Sequence, residues 1–158
     1  MMRKIDFRLN GVPVSIETQL NRRLLDVLHE DFELIGVKEG CGEGECGACA
    51  VLIDHEVVNS CSIPIANCLG KDIVTIEGFS NTSRYKILKN AFEEEGAVQC
   101  GFCTPGMMIA AESLLNKNSN PTIEEIKIGL SGNLCRCTGY NMIIKAIKRA
   151  AKEGDGKW

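Results

Sequence analysis

Long apolar runs are missing from this 158-residue chain: no stretch approaches the roughly 18 consecutive apolar residues that a membrane span requires. The opening MMRKIDFRLN holds no apolar segment of the kind that forms a secretory signal, so the expected compartment is the cytoplasm. Neither sign of charge dominates. Lys and Arg number 18 against 21 Asp and Glu, a formal net charge of -3. No basic block is present to track a phosphate backbone, which argues against nucleic acid as a partner. Histidine is scarce, with only His29 and His55. The chain also lacks a nucleophile beside a base, a metal site with an open substrate position and a glycine fingerprint for a nucleotide. Turnover of an organic substrate by this chain alone is therefore not expected. Internal repeats and low-complexity tracts are absent as well.

Cysteine, by contrast, is abundant. There are nine, and an odd count without a signal segment does not suit a secreted disulfide scaffold. Eight of them fall into two sets of four. Cys41, Cys46, Cys49 and Cys61 form a CxxxxCxxC run with a distant fourth member, the plant-type 2Fe-2S ligand order. Glycines at 40, 42, 44 and 47 are interleaved with these thiols. They allow the backbone to close around sulfur and present N–H donors to an anionic cluster. The second set, Cys100, Cys103, Cys135 and Cys137, reads CxxC, a gap of 31 residues, then CxC. Structural zinc more usually joins two knuckles of at least CxxC spacing over a shorter gap. On spacing alone, zinc stays open as an alternative for either set, making the chain a double zinc-binding adaptor.

The cysteine sets divide the chain near its middle, and the expected organisation is a domain over 1–78, a linker over 79–84 and a second domain over 85–158. Halves of this size bury a modest fraction of their surface, and a cluster held by four thiolates would staple each. Ile5, Phe7 and Leu9, then Val12, Val14 and Ile16, alternate around Asn10-Gly11, a hairpin signal. Helical spacing follows over 22–32, and strands are expected near 49–54 and 73–77. The polar segment GFSNTSR, 78–84, reads as the linker. Beyond it the period becomes helical. Tyr85, Leu88 and Phe92 share a face before Gly96, Thr104-Pro105 reads as an N-cap followed by an N1 proline, and Thr122 with Glu125 reads as a capping box stopped at Gly132. A last helix is expected over 139–152. Four helices make a bundle, with CxxC just before its second helix and CxC between its third and fourth.

The strings GCGEGECGAC, SCSIPIANC, IVTIEG, QCGFCTPGM and GNLCRCTGY, in that order, closely resemble the iron-sulfur small subunit of the molybdenum hydroxylases, the xanthine dehydrogenase family. The resemblance runs from about residue 4 to about residue 150. One departure is Ala50, where the family commonly has threonine; it is not a ligand and puts no cluster in doubt. The resemblance implies an α+β chain, an N-terminal ferredoxin-like beta-grasp domain followed by a C-terminal four-helix bundle, each with one 2Fe-2S cluster. It also implies a large molybdopterin-binding subunit, a medium FAD-binding subunit and a hetero-oligomer, with a dimer of heterotrimers as one form. In relatives the residues matching Gln99 and Cys137 lie against the pterin. Electrons would enter at the helical-half cluster and leave through the ferredoxin-like cluster toward FAD. A purine such as xanthine is the first expectation for the substrate, ahead of nicotinate and aromatic acyl-CoA thioesters.

Several residues have plainer readings. Cys68, the ninth cysteine, competes with Cys61 for the place of fourth ligand but reads as a small buried hydrophobe. His29 and His55 are expected at the surface rather than in a Rieske-type centre. Arg136 is either a neutralising charge beside the cluster or an exposed loop residue. Lys145, Lys148, Arg149 and Lys152 read as the solvated face of the last helix. A thioredoxin-like CxxC is disfavoured because no strong strand precedes Cys100. A free-standing ferredoxin-like shuttle leaves the helical half and Gln99 unexplained.

Overall fold

The computed structural model describes residues 2–158. The expected hairpin is present: β1 (Met2–Leu9) pairs antiparallel with β2 (Val12–Gln19) through Asn10 and Gly11, whose φ angles are 51° and 82°. Two positive φ angles in a two-residue loop give the twist that strands require. Ile5, Phe7 and Leu9 are all buried, as period-two alternation dictates. The first helix, α1 (Leu24–Glu30), is shorter than the expected 22–32, because Arg23 is extended and Asp31 ends the helical run. Its Leu24, Leu25, Val27 and Leu28 share a core with the β1 residues.

β3 (Ala50–Ile53), β4 (Glu56–Asn59) and β5 (Asp72–Val74) complete a five-stranded sheet of order β2-β1-β5-β3-β4. β1 and β5 are parallel and the other neighbours antiparallel, the beta-grasp arrangement. β4 lies outside the strands expected from the sequence. Its turn residues, Asp54 and His55, hold φ of 50° and 72° without any glycine to mark them. β5 ends before the expected residue 77 because Thr75 leaves the sheet and precedes a single helical turn, α2 (Ile76–Phe79).

The 78–84 segment is not a uniformly solvated stretch. Phe79 on α2 is buried in the helical half and meets Tyr85 edge-on at 5.6 Å. Thr82 accepts the Tyr85 N–H at 3.1 Å and so caps α3 (Ser83–Glu94). Three further helices follow: α4 (Thr104–Lys117), α5 (Ile123–Gly129) and α6 (Asn141–Glu153). The Thr122–Glu125 capping box is formed in both directions. Two expected boundaries move. Cys103, already helical in φ and ψ, is the N-cap of α4, which places Thr104 inside the helix, and α5 ends at Gly129 rather than Gly132. Tyr140, in the left-handed region at φ 70°, starts α6 two residues later than expected.

β3 joins the two halves. Ala50 and Leu52 belong to the helical core with Phe92, Met107 and Ile147, whereas Val51 belongs to the core under α1. A strand covered on both faces needs an unbroken apolar run, and AVLI is one. Ser113 on α4 accepts the Val57 N–H at 3.2 Å and donates to the His55 carbonyl at 3.3 Å, fastening the bundle to β4. The buried Glu112 carboxylate is fully partnered by Arg84 at 2.6 Å, Asn116 at 3.0 Å and the Trp158 indole N–H at 2.7 Å. Arg149 corrects one expectation: it pairs with Glu94, Glu95 and Glu153 and pins α6 to α3 rather than standing in solvent. Among the described residues, no helix is long and apolar enough to cross a membrane.

Candidate metal centres

The loop between α1 and β3 carries Cys41, Cys46 and Cys49. It folds back on itself through positive φ at Gly42, Gly44 and Gly47. As a result the N–H groups of Glu43, Glu45 and Cys46 all donate to the Cys41 sulfur, at 3.3, 3.3 and 3.4 Å. These donors lower the Cys41 thiol to about 7, with Glu43 first in effect. Cys49 and Cys61 sit deeper. Burial pushes the Cys49 thiol up to about 11, and the neighbouring Cys61 sulfur is in contact with it. Ser60 holds the two strands of the site together, its hydroxyl donating to the Cys49 carbonyl at 2.8 Å. Asn59, at the end of β4, donates to the Gly44 carbonyl at 2.7 Å, so the strand missed from sequence shapes the loop.

The second set gathers where α4 begins and where the α5–α6 loop turns. Helix packing closes the 31-residue gap and brings Cys103 against Cys135, and Cys100 against Cys137. Burial, followed by contact with Cys135, pushes the Cys103 thiol up to about 12. For Cys135 burial is the largest single effect and acts upward too, but hydrogen bonds from Thr138, Cys137 and Cys103 together outweigh it and leave the thiol below its ordinary value. The side-chain contact with Cys100 raises Cys137. Cys100, Cys137 and Gln99 are exposed, as are Val98, Phe102, Leu134 and Met142, which lie within a few residues of them in the sequence.

Each set brings its thiols together: Cys41 is beside Cys46 and Cys49 beside Cys61, while in the second set Cys103 is nearest Cys135 and Cys100 nearest Cys137, with Cys103 also facing Cys100 and Cys137 also facing Cys135. Among the described residues, no three His, Cys, Asp or Glu side chains converge as ligands of one metal ion. Four gathered thiols per set suit a two-iron cluster, in which each iron takes two of them. The sulfur donor set and the N–H groups aimed at Cys41 also fit an anionic 2Fe-2S group.

The two sets touch through their loops. The Leu134 N–H donates to the Cys46 carbonyl at 2.9 Å, and the buried Asn133 amide donates to the Gly47 carbonyl at 3.2 Å. A Cβ on Gly47 would lie 2.4 Å from the Gly132 carbonyl oxygen, and one on Gly106 would lie 2.3 Å from the Gly47 oxygen. Only hydrogen atoms fit there. Asn133, Leu134, Thr138 and Tyr140 were not distinguishable as site residues in the sequence, where they stand simply as letters between and beside the cysteines.

The remaining expectations resolve individually. Cys68 is fully buried in the α1 core, where burial pushes its thiol up to about 11. His55 is exposed, but His29 is half-buried and its Nε2 bonds to the Val37 carbonyl, which corrects its surface placement. Arg136 is exposed.

Residues 7–72 match the model of the 2Fe-2S iron-sulfur cluster binding domain, and residues 75–148 match that of a second 2Fe-2S binding domain. The nicotinate dehydrogenase small FeS subunit of Eubacterium barkeri is 49% identical over 148 residues, covering 94% of each chain. Quinoline 2-oxidoreductase from Pseudomonas putida 86 superposes with a TM-score of 0.90 at 40% identity, over 97% of this chain and 95% of its own. Aldehyde oxidoreductase from Desulfovibrio gigas superposes with a TM-score of 0.91 at 36% identity, over 99% of this chain and 18% of its own. Identity of this order across both cysteine-bearing halves places the chain in the family of iron-sulfur subunits of the molybdenum hydroxylases, carriers of two 2Fe-2S clusters.

Proposed function

We propose that this chain is the internal wire of a molybdenum hydroxylase, passing electrons singly from a molybdopterin centre on a large subunit to FAD on a medium subunit. The observation that carries this reading is the hydrogen bond from Leu134 to Cys46, which joins the backbone beside Cys135 to the backbone of a first-set cysteine. Cys100, Cys103, Cys135 and Cys137 hold the entry cluster, and Cys41, Cys46, Cys49 and Cys61 hold the exit cluster. A 2Fe-2S cluster supplies one-electron chemistry between its oxidised and reduced states. Cys135, Leu134 and Cys46 provide a continuous bonded route between the two sets, and the backbones approach closely beside it at Gly47 and Gly106.

Exposure supports an assignment of the two ends. Cys100, Cys137 and Gln99 form an uncovered sulfur face rimmed by apolar side chains, suited to burial against the large subunit and its pterin. Glu43 and Glu45 are exposed at the opposite cluster loop, on the side given to the medium subunit. The aldehyde oxidoreductase, of which this chain matches 18%, supports a larger assembly in which such a unit is one part. The likeness to proteins named for nicotinate and quinoline supports an N-heteroaromatic ring as the substrate, with a pyridine-type ring as well supported as a purine. The assembly is a hetero-oligomer, with a dimer of heterotrimers as one form, and this chain's nine cysteines, none of them in a disulfide, suit the reducing cytoplasm.

Purification of this chain at native abundance tests the reading. Co-isolation with molybdopterin and FAD, and reduction of both clusters on adding an N-heteroaromatic substrate anaerobically, is the expected result. Isolation as a monomer that reduces a soluble acceptor would make it a free-standing shuttle instead.

A further inference from the structure

Thr138 stands at the centre of a small hydrogen-bonded ring in the α5–α6 loop. Its Oγ1 lies 3.1 Å from the Cys135 sulfur and 3.2 Å from the Tyr140 nitrogen. The Tyr140 N–H occupies the oxygen as donor, and a hydroxyl has a single proton of its own, so that proton is directed at the sulfur. The Cys135 N–H in turn donates to the Tyr140 hydroxyl at 2.9 Å, which fixes the cysteine backbone beneath its sulfur. Tyr140 holds the left-handed conformation that makes this closure possible.

The first set is served differently. Cys41 takes its donors from three backbone N–H groups, and Cys61 meets the Ser62 hydroxyl in a longer contact of 3.6 Å in which either atom can donate. The second set therefore has a side-chain donor that one substitution can remove with the backbone left in place.

We propose that Thr138 is a positioning residue that sets the reduction potential of the helical-half cluster, its hydroxyl holding that cluster at a higher potential than the thiolates alone would give. The proposal rests on the assignment of Cys135 as a ligand. When one electron arrives from the molybdenum centre of the large subunit, negative charge on the Cys135 sulfur increases. A donor aimed at that sulfur stabilises the reduced state more than the oxidised one. The hydroxyl proton stays on Oγ1 throughout, and no bond forms or breaks. The consequence is directional: a higher potential at the entry cluster favours its reduction by the molybdenum centre.

The test uses the assembled complex carrying Thr138→Val, which keeps the shape and removes the donor, and Thr138→Ser, which keeps the donor. Iron and sulfide content are measured first, followed by a redox titration monitored by electron paramagnetic resonance. The expected result is full iron in both variants, a downward shift in the midpoint of one of the two signals in Thr138→Val, no shift in the other signal, and recovery in Thr138→Ser. Unchanged potentials in a fully loaded Thr138→Val, or equal shifts in both signals, would overturn the proposal. Loss of iron from Thr138→Val would overturn it too, by making the hydroxyl an assembly element. In the unsubstituted complex, exchange into deuterium oxide should shift iron–thiolate stretching bands that do not shift in Thr138→Val; identical exchange behaviour contradicts the O–H···S contact. Cys135→Ser separates the two levels of the argument. If it leaves both signals unchanged, the ligand assignment itself fails; if it alters one while Thr138→Val alters neither, only the tuning role fails.

Discussion

Cys41 and Cys68 show how far one side chain's chemistry follows its surroundings. Cys41 has three N–H groups aimed at its sulfur and is lowered from 9.0 to about 7, while Cys68 has only apolar neighbours and is raised to about 11. In the metal-free folded chain, the alkylation rate at Cys41 should climb through a midpoint near pH 7, and Cys68 should stay unmodified until the chain unfolds. Peptide mapping after a pH series of iodoacetamide treatments reads both, and equal reactivity would contradict the assignment of surroundings. The sign for stability follows from the same shift. A thiol whose folded value lies below its unfolded one stabilises the folded chain fully above pH 9.0, and that contribution is lost as pH falls through about 7. Much of this scale was legible in the sequence. Ligand-spaced cysteines and loop glycines are local patterns, and Cys68 was readable as a core residue because Cys61 already takes the place of the fourth ligand. Arg149 was not, because its partners Glu94 and Glu95 lie on another helix, more than fifty residues away in sequence.

Elements were legible where turn or cap chemistry marked their ends. Asn10-Gly11 announced the first hairpin and Thr122 with Glu125 announced α5, whereas Asp54-His55 hid β4 because neither residue type advertises a tight turn. The 78–84 segment carries contacts that its composition does not announce. Its composition is polar, yet Phe79 is core and Thr82 is a cap, since the chain crosses between the halves as a helical turn followed directly by α3. Two substitutions separate these roles. Thr82→Ala should cost about 1 kcal/mol by freeing the Tyr85 N–H. Phe79→Ala should cost about 3 to 5 kcal/mol by leaving a cavity against Tyr85 and the bundle. Chemical denaturation of the cluster-loaded protein measures both, and a Phe79→Ala loss no larger than that of Thr82→Ala would return the segment to the role of a loose connection.

At the scale of the whole molecule, the seam between the loops could not be read from sequence, because Asn133 and Gly47 meet across 86 residues and a packed glycine looks like any other. Gly47→Ala should force the loops apart, since the new Cβ meets both the Gly132 oxygen and the Asn133 amide. Gly70→Ala is the control, with a similar φ of 69° but open space around it. Both carry backbone strain of about 1 to 2 kcal/mol. Only Gly47→Ala should slow reduction of the exit cluster by the entry cluster, measured by freeze-quench spectroscopy of the complex. Equal slowing in both variants would place the effect in the strain rather than the seam.

The central claim is that the two cysteine sets are electron-carrying centres. It is tested most directly by iron and acid-labile sulfide analysis of anaerobically purified protein, paired with low-temperature electron paramagnetic resonance after dithionite reduction. Two irons and two sulfides per cysteine set, with two distinguishable spin systems, is the predicted result. Zinc in place of iron, with no signal on a properly assembled sample, would contradict it.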